Sequence, residues 1–203
     1  MPNNEIWVGQ MYITQSGNTE IDVSIPEGRL EPIMTIAVDG TITVDWGDNT
    51  TPDTVTETSL SSRLAIPHVY TNPGDYTIVI SVTSGSFSFY ATATYTILRK
   101  NTNSNENRVY ANCVQNIRLG SGIISIGNSA FYNCYSLLSI TIPDSVTSTG
   151  NNTFSNCYSL SSVGIPDSVS SIGEYAFYGC YSLSSITIPD SITLIDSNAF
   201  YGC

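Results

Sequence analysis

The side chains in this 203-residue chain that could do chemistry are few: one histidine, five cysteines and a scatter of aspartates. Any Ser-His-Asp or Cys-His arrangement would have to use His68, and a zinc site built on several histidines is impossible. The surrounding "PHVYTNPGDY" reads as a structural setting in which the imidazole braces β structure. Cys-x-x-Cys pairs are missing. Instead Cys134, Cys157, Cys180 and Cys203 fall 23 residues apart, with Cys113 lying 21 before the first. Equal spacing stacks the thiols in one column, about 4.8 Å apart, with parallel Cβ directions that oppose disulfides. Small buried thiols are therefore expected, and with no base beside them none is a ready nucleophile.

Asp144, Asp167 and Asp190 recur in an "IPDS" phrase and would form a column of like charge. Each is expected to bond its own backbone in a turn, since such turns do not supply the six to eight oxygens that calcium takes. What remains is surface. Ser139 and Thr141, Ser162 and Gly164, and Ser185 and Thr187 alternate with aliphatics and make a small, neutral sheet face. Tyr135, Tyr158 and Tyr181 follow the thiols; Tyr132, Tyr178 and Tyr201 precede them. Tyrosine suits recognition of protein or sugar, although the same rings could stack on one another to shield the coil edges. The candidate ligand-binding residues are Tyr132, Tyr135, Tyr158, Tyr178, Tyr181, Ser139, Thr141, Ser162, Ser185 and Thr187.

The elements that must position these residues come from a repeat. Residues 130–152 and 176–198 agree at 16 of 23 positions, and a period in that range marks a solenoid, in which each unit buries its apolar side only against its neighbours. "LSSITIP" (183–189) alternates as a short strand that Pro189 ends; "PDS" turns, and Ala199, Phe200 and Cys203 open the next coil as a tight helical turn. Stacking predicts columns of Phe131, Phe154, Phe177 and Phe200, of Ile140, Val163 and Ile186, and of Ile142, Ile165 and Ile188. Ile117, Leu119, Ile123 and Ile126 extend the aliphatic columns backwards, and Thr149 interrupts one of them as a weak point. With phenylalanine, cysteine, leucine, paired isoleucines and proline in phase, residues 113–203 resemble the BspA-like leucine-rich repeats of bacterial surface proteins. The resemblance implies a curved solenoid with one parallel strand per repeat, used for adhesion or protein binding.

Residues 1–99 lack the repeat and show short β-rich runs between Gly, Asp, Asn and Pro turns, the pattern of a β-sandwich. "VDWGDNTTPDT" followed by "PHVYTNPGDYTIVISVT" is similar to the PKD type of Ig-like domain, through Trp46, Gly47, Asp48, His68, Tyr70, Gly74 and Tyr76. That likeness implies an Ig-like sandwich and, because some PKD-type domains bind calcium, a calcium candidate at Asp45, Asp48 and Asp53. No other cofactor is expected. Residues 100–112, rich in Asn and Ser, read as the linker leading into the solenoid.

Only 11% of residues are charged, the net charge is −11, and no basic cluster exists, so nucleic acid and anionic membrane surfaces are excluded as partners. No run approaches a membrane span, and "MPNNEIWVGQ" lacks a basic-then-apolar leader; with the chain ending inside a repeat, a piece of a longer protein is expected. The expectation is thus a mainly β, non-enzymatic, bacterial cell-surface or secreted protein. A PKD-like spacer would carry a leucine-rich solenoid that binds a protein ligand, extracellular matrix or a host surface. The alternatives are a carbohydrate-binding accessory module of a polysaccharide-acting protein, or a phage tail-fibre component.

Overall fold

The computed structural model describes residues 11–14, 17–27, 33–58, 64–89, 98–99, 113–121 and 123–203; the expected linker, residues 100–112, lies outside them. The described residues form strands and turns, with no helix among them. In the first half the strands are β1 (Met11–Thr14), β2 (Thr19–Ile25), β3 (Ile33–Asp45), β4 (Asp53–Thr58), β5 (Leu64–Pro67), β6 (Gly74–Phe89) and β7 (Leu98–Arg99). β2 shows the logic most clearly: Ile21, Val23 and Ile25 are buried, while Glu20, Asp22 and Ser24 alternate on the other face.

β3 and β6, 13 and 16 residues long, run antiparallel through the middle of this half. β3 also pairs with β4, β5 and β7, and β6 with β2 and β1. Gly40 and Gly85 face each other with positive φ where the two cross most closely; a Cβ on either would lie 2.1 or 1.8 Å from an opposing backbone oxygen. The two facing sheets of an Ig-like sandwich are therefore not what the pairing draws. β3 and β6 are long enough to link both groups of shorter strands, so the first eleven strands join one open sheet.

The second half adds β8 (Val114–Arg118), β9 (Ile123–Ile126), β10 (Ser139–Thr141), β11 (Ser162–Val163), β12 (Ser171–Ile172) and β13 (Leu194–Ile195). β8, β10 and β11 stack in parallel, one per coil, and β12 pairs with β13 in the same sense. The two halves are joined edge to edge: β2 pairs antiparallel with β8, and β1 with β9. One apolar core runs from Ile21 and Trp46 through Ile117 to Ala199.

Two sequence expectations need correction. The strand expected over residues 183–189 is absent, because the ladder narrows from three paired residues between β8 and β10, to two between β10 and β11, and stops. Gly164 stands where Thr141 stood and brings no side chain to pack on the next coil; Ile188, expected inside, is 37% exposed. The expected helical turn is also replaced. Cys134 and Tyr132 donate three residues back, to Phe131 and Ser129, but Phe131 and Asn133 donate to the next coil, at Thr153 and Ser155. Positive φ at Ser129 and Asn133, at Asn152 and Asn156, and at Tyr175 and Gly179 aims every second amide sideways and prevents a helix. Thr149 makes only a single-residue bridge with Ile126, and the ladder resumes between the next two coils as β12–β13.

Candidate functional site

The outward side of the sheet is continuous across the junction. Register places Asp22 beside Asn116, Asn116 beside Ser139, and Ser139 beside Ser162; in the neighbouring row stand Glu20, Arg118 and Thr141. Ser139 Oγ donates to Asn116 Oδ1 at 2.7 Å. Arg118 donates through Nε to Glu20 at 2.6 Å and through both terminal nitrogens to Asp22 at 2.9 Å. Thr77 Oγ1, from β6, donates to Asp22 at 2.8 Å. The Arg118 hydrogen bonds hold the Asp22 carboxyl below the usual carboxylate range, against the opposing effect of burial, and push the guanidinium itself further up. Of the predicted face residues, Ser139, Thr141 and Ser162 thus lie on paired strands. Ser185 and Thr187 are exposed but sit beyond the last rung.

The tyrosines form ladders. Tyr135 stacks on Tyr158 at 4.7 Å between centroids, Tyr158 on Tyr181 at 5.1 Å, and Tyr178 on Tyr201 at 5.4 Å. Tyr132, half-buried, heads a column that breaks at the buried Ser155. Exposure rises along the first ladder to 67% at Tyr181. A sugar ring recognised by stacking needs an open aromatic face. Here the faces between rungs are occupied by neighbouring rings, so the ladders offer edges and hydroxyls.

In the first half His68 lies flat on Trp46 (4.6 Å, 7°), edge-on to Tyr70, and its Nε2 is 2.9 Å from Asp48 Oδ2. Tyr70 is buried, which pushes its phenol up, and donates to the Trp46 carbonyl at 3.1 Å. Burial would raise Asp48, but hydrogen bonds from Thr50 and His68 outweigh it and leave the carboxyl lowered. Each carboxylate of the calcium candidate is engaged in a hydrogen bond. Asp45 accepts from the Gly47 amide, Asp48 from Thr50, and Asp53 from the Trp46 indole at 2.7 Å; the three do not converge. Among the described residues no group of three His, Cys, Asp or Glu side chains could hold a metal ion.

None of the five cysteines is in a disulfide, and all but Cys203 are buried. Cys157 and Cys180 each donate to the phenylalanine carbonyl of the coil before, Phe131 and Phe154, at 3.2 and 3.3 Å. Burial pushes the Cys134 and Cys180 thiols up to about 12 and Cys157 well above its ordinary value. The column therefore holds protonated thiols that tie coil to coil.

A profile of BspA-type leucine-rich repeats matches residues 81–203 in six copies. The chain belongs to the BspA-type leucine-rich repeat family. Solved structures similar to this BspA-type chain include a leucine-rich repeat protein from Bacteroides ovatus (28% identity, TM-score 0.41), covering 56% of the chain and 30% of that protein. A leucine-rich cell surface protein from Faecalibacterium prausnitzii (39%, TM-score 0.43) covers 43% of the chain and 23% of that protein, and a leucine-rich repeat protein from T. pallidum (27%, TM-score 0.40) covers 43% and 54%. This chain thus spans under a third of the first two proteins. None of the curated proteins matches.

Several residues of the BspA-type coil escaped the sequence reading. In the "PDS" turn the serine makes the bond: Ser145, Ser168 and Ser191 donate to the carbonyls of Ile123, Val146 and Val169 one coil back, while the aspartates are exposed. Their regular spacing was the available signal. Arg118 with Glu20 and Asp22 carried none, since the partners are 96 and 98 residues away.

Proposed function

We propose that this BspA-type chain is a non-enzymatic bacterial protein, displayed at the cell surface or secreted, whose outward sheet face binds a protein ligand in adhesion. The observation that supports this most directly is the unbroken row of polar side chains from Asp22 through Asn116 and Ser139 to Ser162, held flat by registered strands. Small hydroxyls and amides at fixed spacing let an extended partner approach closely, and repetition turns weak contacts into avidity. The family relationship supports the same reading, and so does the F. prausnitzii cell surface protein among its structural neighbours. Residues 1–99 would be a PKD-like unit, supported by the Trp46, His68 and Tyr70 cluster, with 100–112 as connection and 113–203 as repeats. That unit spaces the solenoid and also covers its first strand. A protein ligand is favoured over a glycan because stacked rings leave few open tyrosine faces.

The test is an immobilised panel of extracellular-matrix proteins, serum proteins and glycans, probed with the whole chain and with Ser162→Arg, which blocks the face. A protein hit that S162R abolishes supports the proposal. Hits confined to glycans, or protein hits untouched by S162R, overturn it.

A further inference from the structure

The seam between the halves contains a cleft that the repeat does not account for. Asp22 pairs with Asn116 but Val23 with Val114, so Gln115 is an extra residue on β8 with no partner on β2. A bulge of this kind bends its strand, re-aims side chains and is common beside functional sites. A cavity of about 330 Å³ opens there, with Asp22, Asp75, Thr77, Gln115 and Asn116 in its walls. It draws on β2 and β6 from the first half and on β8 from the solenoid.

Its charge is unbalanced. Glu20, Asp22 and Asp75 share this part of the sheet, and Arg118, the one cation among the described residues bonded to them, is committed to Glu20 and Asp22. Asp75 is exposed, and among the described residues no cation lies on its carboxylate. Val23 and Tyr76 complete the walls of the cleft. A carboxylate that no cation of the described residues neutralises, beside these apolar groups, matches a long cationic side chain, whose stem is apolar and whose head is charged. A bare metal ion fits less well, because no set of three ligating side chains gathers among the described residues.

We propose that the cleft takes a lysine or arginine side chain from an extended protein segment lying across β6, β2, β8 and β10. This deepens the sheet-face reading above and rests on it. It gives the first half a direct part in binding, because Asp75 and Thr77 belong to β6.

The experiment pans a phage-displayed library of random dodecapeptides against the whole chain, then measures selected peptides on the parent, Asp75→Lys, Asp144→Lys and Ser162→Arg by fluorescence polarisation. Asp144 is exposed on a solenoid turn, so D144K makes the same charge change away from the cleft. Circular dichroism melting confirms that each variant is folded. The selected peptides should carry Lys or Arg and bind D75K at least about fivefold more weakly than the parent, with D144K unchanged. Peptides without basic residues, or equal weakening by D75K and D144K, would overturn the proposal. Loss with S162R but not D75K sinks the cleft and leaves the sheet-face reading standing; loss with neither sinks both.

Discussion

Replacing Arg118 by alanine tests whether the two halves behave as one body. The guanidinium makes three hydrogen bonds across the seam, one to Glu20 and two to Asp22. An exposed ion pair contributes about 0.2–1 kcal/mol, and a hydrogen bond to a charged group about 1.5–3 when sheltered. The side chains of Arg118 and Glu20 are 46% and 40% exposed and that of Asp22 23%, so solvent screening cuts the sheltered values heavily. We expect R118A to cost about 1–2 kcal/mol, most of it through Asp22. Urea unfolding should be followed by tryptophan fluorescence, which includes Trp46 in the first half, and by circular dichroism. A cycle with Asp22→Asn then isolates the pair. A coupling of about 0.5–1.5 kcal/mol is expected. The pH dependence supplies an independent check. Because the folded Asp22 pKa is depressed, its contribution is present above the unfolded value of about 3.9 and is lost as pH falls through the folded value. R118A should move the Asp22 titration up and flatten that part of the acid limb. If D22N costs the same with and without Arg118, and Asp22 titrates unchanged in R118A, the network does not hold the seam.

Further outcomes follow from the columns and from the Trp46 cluster. Phe154→Ala should cost about 3–5 kcal/mol by urea denaturation, because its buried ring stacks on Phe131 at 5.5 Å and on Phe177 at 5.2 Å; a loss under 1 kcal/mol would mean that the column is not closely packed. Native-state labelling with iodoacetamide at mildly alkaline pH should modify Cys203 first, with Cys134, Cys157 and Cys180 reacting only on unfolding; mass spectrometry of the peptides reads this directly. Asp48→Asn should destabilise the first half by about 1–3 kcal/mol at neutral pH. The depressed Asp48 pKa makes its contribution vanish as pH falls through the folded value, so parent and variant melting temperatures should converge in acid.

The solenoid was legible because a repeat is local information written several times. Phe131, Phe154 and Phe177 meet one another, so a column can be read without knowing what else the chain touches. The thiol column and the tyrosine ladders follow from the same spacing. Failures came where a coil departs from its own average. Gly164 breaks a ladder, and the residue type alone did not say whether the neighbouring coil would tolerate the gap, whereas Thr149, expected as a weak point, makes only an isolated bridge. Asn133 and Asn156 align with Gly179, an Asn/Gly column that signals left-handed backbone and could have argued against a helical turn. In the first half the individual strands could be read, but their pairing could not. Two long strands decide whether there is one sheet or two, and length is what short alternation does not encode.

The seam shows why covering the solenoid and extending its face are one event. A parallel stack leaves its first strand with unpaired amides and carbonyls and an uncovered apolar edge, so something must pair with β8. β2 does so with Ile21 beside Ile117. Strand alternation then leaves no choice for Glu20 and Asp22: they must emerge on the same face as Arg118 and Asn116, and from there in register with Thr141 and Ser139. A first half serving only as a cover could have placed neutral residues at those positions. Acids there, balanced among the described residues by one arginine and followed on β6 by Asp75, on which no cation of the described residues lies, leave a negative field at one end of an otherwise neutral hydroxyl surface. A partner lying along that surface would therefore meet it in one orientation, with its cationic end toward the first half.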